Sequence, residues 1–475
     1  MDWSEATGSL DIRTLRALYG SGTLTPTQVV EIVYQRIAAR GEDEPAWIHL
    51  LPREDALRRA AEVERDGDPS NLLHGIPFAL KDNIDVPGLP TTSGCPATRY
   101  IAESTGPAVQ RLFDAGGILI GKTNMDQFAI GLVGVRSPYG ICSSVFNEAY
   151  ISGGSSAGSA VVVAAGLVSF ALGNDAAGSG RVPAAFNNII GLKPTPGLIS
   201  NSAVSGGGTV KLIETISVLG LTCDDTLAVL KLIGGYDPAY EFSKPEADDV
   251  DLTMPASPSA FRFGVPDAKH LTFLGDSEAE RLFREGIDRM TSLGGTQVEV
   301  DFTPFEEAQR ILYDGPWIAE RSLTLGPVLE NHRDQIHPVT RSILETGRGY
   351  AAEDLFGAIH RLAELKCETR PAWDAIDFLL VPTTPTIYTI AEIEADPIQL
   401  NALLGSYTNF ANLMGLCGIA IPNGFREDGL PQGITLLGQP FREAYLSAVG
   451  ASYQRAIDLP LGATPNHLPD LGVGP

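Results

Sequence analysis

The chain has 475 residues, 58 of them acidic against 34 basic, for a formal charge of −24. That balance repels nucleic-acid phosphates and anionic membrane surfaces, so neither is an expected partner, and an anionic substrate would need a local basic anchor. A hydrophobic fraction of 44% supports a sizeable core, in one large domain or two smaller ones.

The start, Met1-Asp2-Trp3-Ser4-Glu5, lacks the basic and then apolar stretch of a secretory leader. The first forty residues read as largely helical. Thr25-Pro26-Thr27-Gln28 is a capping box with proline at the first helical position. Val29, Val33 and Ile37 then recur on one face, which packs on a core or on a partner subunit. From about Gly75 short β-rich runs alternate with helices. Pro107 to Ala115 reads as a helix closed by Gly116-Gly117 and followed by the strand Ile118-Leu119-Ile120. Ser156 to Val168 reads as a helix of small residues that leads into the strand Phe170-Ala171-Leu172. This alternation predicts an α/β protein with a largely buried sheet.

Residues 234–259 are acidic and proline-containing, a predicted surface excursion, and residues 275–370 read as mainly helical. Strands return at Phe378-Leu379-Leu380-Val381 and Gly433-Ile434-Thr435-Leu436-Leu437, and the last dozen residues read as a tail. The longest apolar run, Ala160 to Val168, is about half of the ~20 residues that a membrane helix needs, so no membrane partner is expected. The five cysteines (Cys95, Cys142, Cys223, Cys367, Cys417) are widely spaced, and no CxxC or HExxH pattern occurs. Neither a disulfide framework nor a metal site is indicated, and free thiols in a reducing cytoplasm are expected.

Two Gly/Ser clusters stand out: Gly153-Gly154-Ser155-Ser156-Ala157-Gly158-Ser159, and Gly173-Asn174-Asp175-Ala176-Ala177-Gly178-Ser179-Gly180-Arg181. Taken alone, each is a flexible loop or a cradle for an anion, because glycine-rich turns before helices aim free N–H groups outward. Gly154 to Gly158 also fits G-x-S-x-G, but that motif needs a buried strand before the serine, and Asn147 to Ser152 make a poor one. Lys81 follows the apolar run Gly75 to Leu80. It is either a surface lysine at a strand end or a partly desolvated base.

Taken together, several separated motifs resemble the amidase signature family in order and spacing. They are Gly75-Ile76-Pro77 running into Lys81-Asp82-Asn83, Gly121-Lys122-Thr123-Asn124, Gly153-Gly154-Ser155-Ser156 and Gly191-Leu192-Lys193-Pro194-Thr195. The resemblance implies a large twisted mixed β-sheet covered by helices on both faces. It divides the chain into an N-terminal helical region (1–60, a candidate homodimer surface), a catalytic domain (61–458) and a tail (459–475). Carried over by position, Ser179 is the nucleophile, Ser155 the bridging serine, held by a cis peptide in this family, and Lys81 the base. The N–H groups of Ala176, Ala177 and Gly178, on to Ser179, form the oxyanion hole. A neutral Lys81 near pH 7 requires its pKa to fall roughly three units from ~10.4, about 4 kcal/mol from burial and hydrogen bonding.

The chain is similar to the allophanate hydrolase branch of that family at Lys122 to Phe128, Gly134 to Gly140, Gly178 to Asn188 and Leu312 to Trp317. That likeness implies a small anionic amide substrate held by Tyr313, Arg321 and Ser156, with no cofactor. Asn174 and Ala176 depart from the family's usual threonines, and Lys211 and Glu214 from an Arg and an Asp, beside the unusual Ser205-Gly206-Gly207-Gly208-Thr209. Allophanate, a related ureido acid such as ureidomalonate, and a carboxylated biuret are the substrates this implies. The rival classes are a non-catalytic binding protein and an aminoacyl-tRNA amidotransferase subunit.

Overall fold

Runs such as Phe78-Ala79-Leu80 and Phe170-Ala171-Leu172 carry apolar residues at successive positions, the pattern of strands buried on both faces. The structure, a computed structural model, describes residues 8–41, 44–205, 208–313 and 315–469, without the side chain of Tyr313. In chain order its strands are β1 (Trp47–Leu50), β2 (Pro77–Lys81), β3 (Pro90–Thr91), β4 (Tyr100–Ile101), β5 (Ile118–Thr123), β6 (Phe170–Asp175) and β7 (Ile190–Lys193). Then follow β8 (Thr215–Gly220), β9 (Phe261–Pro266), β10 (Gly295–Val300), β11 (Phe378–Pro382), β12 (Cys417–Phe425) and β13 (Pro431–Gly438). Eleven of them form one sheet in the order β1-β5-β2-β6-β8-β7-β12-β13-β11-β9-β10, while β3 and β4 pair separately.

The sheet is mixed. β5, β2 and β6 run parallel, as do β11, β9 and β10, whereas β6 to β11 across the middle pair antiparallel. Interior strands β2, β5, β6, β7, β8 and β11 are buried at every residue. The edge strands β1 and β10 are partly exposed. The α/β expectation and the mixed sheet both hold.

The helix Pro26–Arg40 carries its capping box, and Val29, Val33 and Ile37 join the main core of the chain. β1 then pairs with β5, so residues 47–50 belong to the main sheet. At the other end, Leu461 is buried, Gly462 N–H donates to Asn188 O, and Ala463 N–H donates to Ala164 O. No helix among the described residues is long and apolar enough to cross a membrane.

One local expectation is corrected, and two others hold with an addition to each. The small-residue helix spans Ala157–Ala164 and stops before Gly166, whose φ of +65° takes it out of the helical region. The stretch expected to be mainly helical contains β10, an edge strand whose exposed Thr296, Gln297 and Glu299 mute the apolar alternation. Residues 234–259 are anchored by buried Tyr240, Ala247 and Leu252.

The Phe78 and Phe170 rings stack at 5.4 Å between the starts of β2 and β6, the strands whose other ends carry the polar cluster described next. Phe170→Ala is expected to cost about 3–5 kcal/mol, read as a lower denaturation midpoint with unchanged slope.

Candidate active site

Register brings the site together. β2 and β6 are parallel, with Phe78, Ala79 and Leu80 opposite Phe170, Ala171 and Leu172. Lys81, the last residue of β2, therefore reaches the same end of the sheet as Asn174 and Asp175 at the end of β6. β8 is antiparallel to β6, with Thr215 opposite Asp175, so Glu214 enters at that end too. The helix beginning at Ala157 starts there, led in by Ser155 and Ser156, and a cis peptide joins Gly154 to Ser155.

Lys81 and Ser155 are wholly buried and Ser179 nearly so. Lys81 Nζ lies 2.7 Å from Ser155 Oγ and also donates to Asn174 Oδ1. Among the described residues no carboxylate is within ion-pair distance of Lys81. Burial draws its amine down from the usual lysine range to about 7. The Glu214, Asp126 and Asp175 carboxylates pull it back up, and the Arg321 guanidinium presses it down. Ser179 is joined to the serine pair through its carbonyl, which accepts from Ser156 N–H at 3.2 Å.

Two other lysines are equally buried. Burial lowers Lys193 to about 7 and lowers Lys122 as well. Lys193 Nζ, however, is held by the carbonyls of Pro194 (3.0 Å) and Leu416 (2.6 Å). Lys122 Nζ meets Pro90 O, Thr91 Oγ1 and, at 3.5 Å, Asp82. Burial alone does not single out Lys81. Its serine contact does.

The turn 175–181 is fixed by an ion pair. Arg181 Nε and Nη2 each lie 2.9 Å from the Asp175 carboxylate, both side chains fully buried. Burial by itself would raise Asp175, but the Arg181 charge and hydrogen bonds, with Lys193 and the Gly178 N–H, hold it down to about 2. Arg181 also donates to Thr408 O and Asn412 Oδ1, Asn412 Nδ2 donates to Asp175 O, and Thr408 Oγ1 donates to Ala177 O. One expected oxyanion donor is thereby corrected. The Gly178 N–H turns to Asp175 Oδ1 at 2.8 Å, because a buried carboxylate must be met by donors. The N–H groups of Ala176, Ala177 and Ser179 have no acceptor among the described residues.

A second carboxylate anchors the other turn. Asp126 accepts from the N–H groups of Val133, Gly134 and Arg136, and its own N–H donates to Ser155 O. A Cβ at Gly154 would fall 2.1 Å from Asp126 Oδ2, so only glycine fits before Ser155.

Of the residues expected to hold substrate, Arg321 is buried on the helix Glu320–Asn331. Its Nη1 makes only long contacts, 3.4 Å to Phe128 O and 3.3 Å to Thr209 Oγ1, and it pairs with no carboxylate among the described residues. Ser156 is engaged by the framework: its hydroxyl donates to Asn174 O at 3.3 Å, which corrects its assignment to substrate. Tyr313 ends the helix Thr303–Tyr313, and its side chain lies outside the described residues, as do Gly206 and Gly207. A cavity of about 560 Å³, lined in part by Lys211, Tyr240, Lys244, Trp317 and Lys366, meets the site through Glu214 and Asn412; none of Lys81, Ser155 and Ser179 lines it. Asp126, and the bonding of Asn174 to Glu214, are the members that sequence reasoning missed. Asp126 lay within one of the motifs, and the other two were noted only as departures.

Asp175→Asn is expected to cost about 3–5 kcal/mol in denaturant unfolding, since it leaves the Arg181 charge buried without its partner. Arg284→Ala, which breaks the exposed pair with Glu280, should cost no more than about 1 kcal/mol.

The family model described as Amidase matches residues 28–446. The chain is 38% identical to the urea amidolyase of Saccharomyces cerevisiae over 412 residues, 86% of this chain but 22% of that protein. It is 32% identical to a subunit of the glutamyl-tRNA(Gln) amidotransferase of Chloroflexus aggregans over 479 residues, 94% of this chain and 96% of that one. The allophanate hydrolase structure from Kluyveromyces lactis superposes with a TM-score of 0.89 at 34% identity, covering 98% of this chain and 76% of that one. The chain thus spans about a fifth of the urea amidolyases it matches.

Proposed function

Since the chain belongs to the amidase family, we propose that it hydrolyses the C–N bond of a small, carboxylate-bearing urea derivative, with allophanate the leading substrate. The observation that carries this reading is the 2.7 Å contact between a fully buried Lys81 amine and Ser155 Oγ. In the mechanism, neutral Lys81 takes the Ser155 proton while Ser155 takes that of Ser179. The Ser179 oxygen attacks the substrate carbonyl, and the tetrahedral oxyanion is met by N–H groups of Ala176, Ala177 and Ser179. Collapse passes the proton to the departing nitrogen, and water then hydrolyses the acyl-enzyme. The path begins only when Lys81 is unprotonated, so the rate is low below its pKa and rises through it.

Arg321 supports the choice of substrate. A buried guanidinium with no carboxylate of its own is suited to accept one from a ligand through its planar fork. In a chain of net charge −24 it supplies the local anchor that an anion requires. A ureido acid such as ureidomalonate, or a carboxylated biuret, meets the same two requirements. The near full-length likeness to one chain of an amidotransferase favours a second reading, amide transfer on aminoacyl-tRNA; turnover by the isolated chain of a small carboxylated urea, with none on tRNA, separates the two. The protein is further proposed to act as a cytoplasmic homodimer. Its five unpaired cysteines fit a reducing compartment, and light scattering reads the assembly.

Ser179→Ala and Lys81→Met are each expected to lower kcat by at least about 10³-fold with thermal stability retained. The wild-type kcat/KM should climb tenfold per pH unit below an acid limb near 7 and flatten above it, as protonated Lys81 disappears. Arg321→Gln is expected to raise KM for the carboxylated substrate about tenfold or more, and to leave KM for an uncharged amide analogue unchanged.

A further inference from the structure

The second contact of Lys81 leads away from the serines. Asn174 Oδ1 accepts from Lys81 Nζ, Asn174 Nδ2 donates to Glu214 Oε1, and Glu214 Oε2 accepts from Thr209 N–H at 3.0 Å and Val210 N–H at 3.4 Å. Both neighbours fix the amide's orientation, because the amine offers N–H groups to its oxygen and the carboxylate takes only donors. Asn201 Nδ2 holds the Glu214 carbonyl at 2.7 Å, so the start of β8 is itself tied down.

We propose that Asn174 and Glu214 form a positioning relay for Lys81. The Asn174 oxygen holds one amine N–H, which turns the lone pair of neutral Lys81 toward Ser155 Oγ. The Glu214 carboxylate, one side chain further out, sets how tightly the amine holds its proton. The inference rests on the Ser–Ser–Lys reading above. During turnover the relay carries no net proton: Lys81 gains the Ser155 proton and returns it, while the Asn174–Glu214 bond persists.

The charged groups around Lys81 are Glu214, Asp126, Asp175 and Arg321. Two of the carboxylates have no side-chain link to the amine. Asp126 takes three backbone N–H groups, and Asp175 takes Arg181 with the Gly178 N–H. Glu214 is the one linked to the amine through a single side chain. The titratable groups facing Glu214, besides Lys81, are Tyr240 and Glu320, with Lys211 beside it on the cavity wall. Both members are among the residues noted above as departures from the family's usual pattern, and here they bond to each other.

The test is the rate at which a fluorophosphonate probe labels Ser179 across pH, on the full chain. Glu214→Gln keeps the size and one of the two acceptor oxygens but removes the charge, so the acid limb should move about 0.5–1 pH unit lower. Glu214→Asp, which keeps the charge, should leave the limb within about 0.2 unit of wild type. Asn174→Ala should lower the plateau rate about tenfold through misdirection of the lone pair. Matching melting temperatures exclude loss of fold. A wild-type limb that Glu214→Gln leaves in place, or a plateau that Asn174→Ala leaves unchanged, overturns this inference alone. A wild-type chain with no acid limb overturns the Ser–Ser–Lys reading and the relay with it.

Discussion

An amine held out of water, facing a hydroxyl and an amide rather than a carboxylate, is the constraint on which the rest of the site depends. Lysine gains most of its solvation as a cation, and full burial removes that gain. A carboxylate within contact distance would restore the charge and rule out the role of base proposed for it. The three carboxylates that influence Lys81 stand further off, each bound to other donors. Their combined pull keeps the amine within reach of neutrality in either direction, the condition a general base requires.

The fold supplies this environment by geometry. Parallel β2 and β6 bring Lys81 level with Asn174, and antiparallel β8 returns Glu214 to the same end of the sheet. The strands β2, β6 and β8 that carry these residues are buried throughout. Two carboxylates then set the turns that present the serines: Asp126 the one before the helix Ala157–Ala164, and Asp175 with Arg181 the one carrying Ser179. Buried ion pairs contribute little net stability, but breaking one is costly. The Asp175–Arg181 pair is better understood as fixing a conformation than as holding the fold together.

Much of this was legible in the sequence because local chemistry and position coincided. The buried strands appeared as apolar runs, the N-terminal helix as a capping box with a periodic face, and Lys81, Ser155 and Ser179 as ordered motifs. What escaped had nonlocal causes. Edge strand β10 has exposed polar side chains and so resembles its helical surroundings. The engagement of the Gly178 N–H depends on where Asp175 points, and that is set by Arg181 six residues on. The bonding of Asn174 to Glu214 joins positions forty residues apart through strand register. No spacing rule reports it.

The proposed catalysis turns on the protonation state of one amine, and lysine side-chain NMR reads it directly. With Cε-labelled lysine, the Lys81 resonance is assigned by its loss in Lys81→Arg and kept apart from that of Lys193 by a Lys193→Met control. A buried general base requires the Lys81 signal to titrate near pH 7. A signal that stays in the cationic position to beyond about pH 10, the ordinary range for solvated lysine, would contradict it.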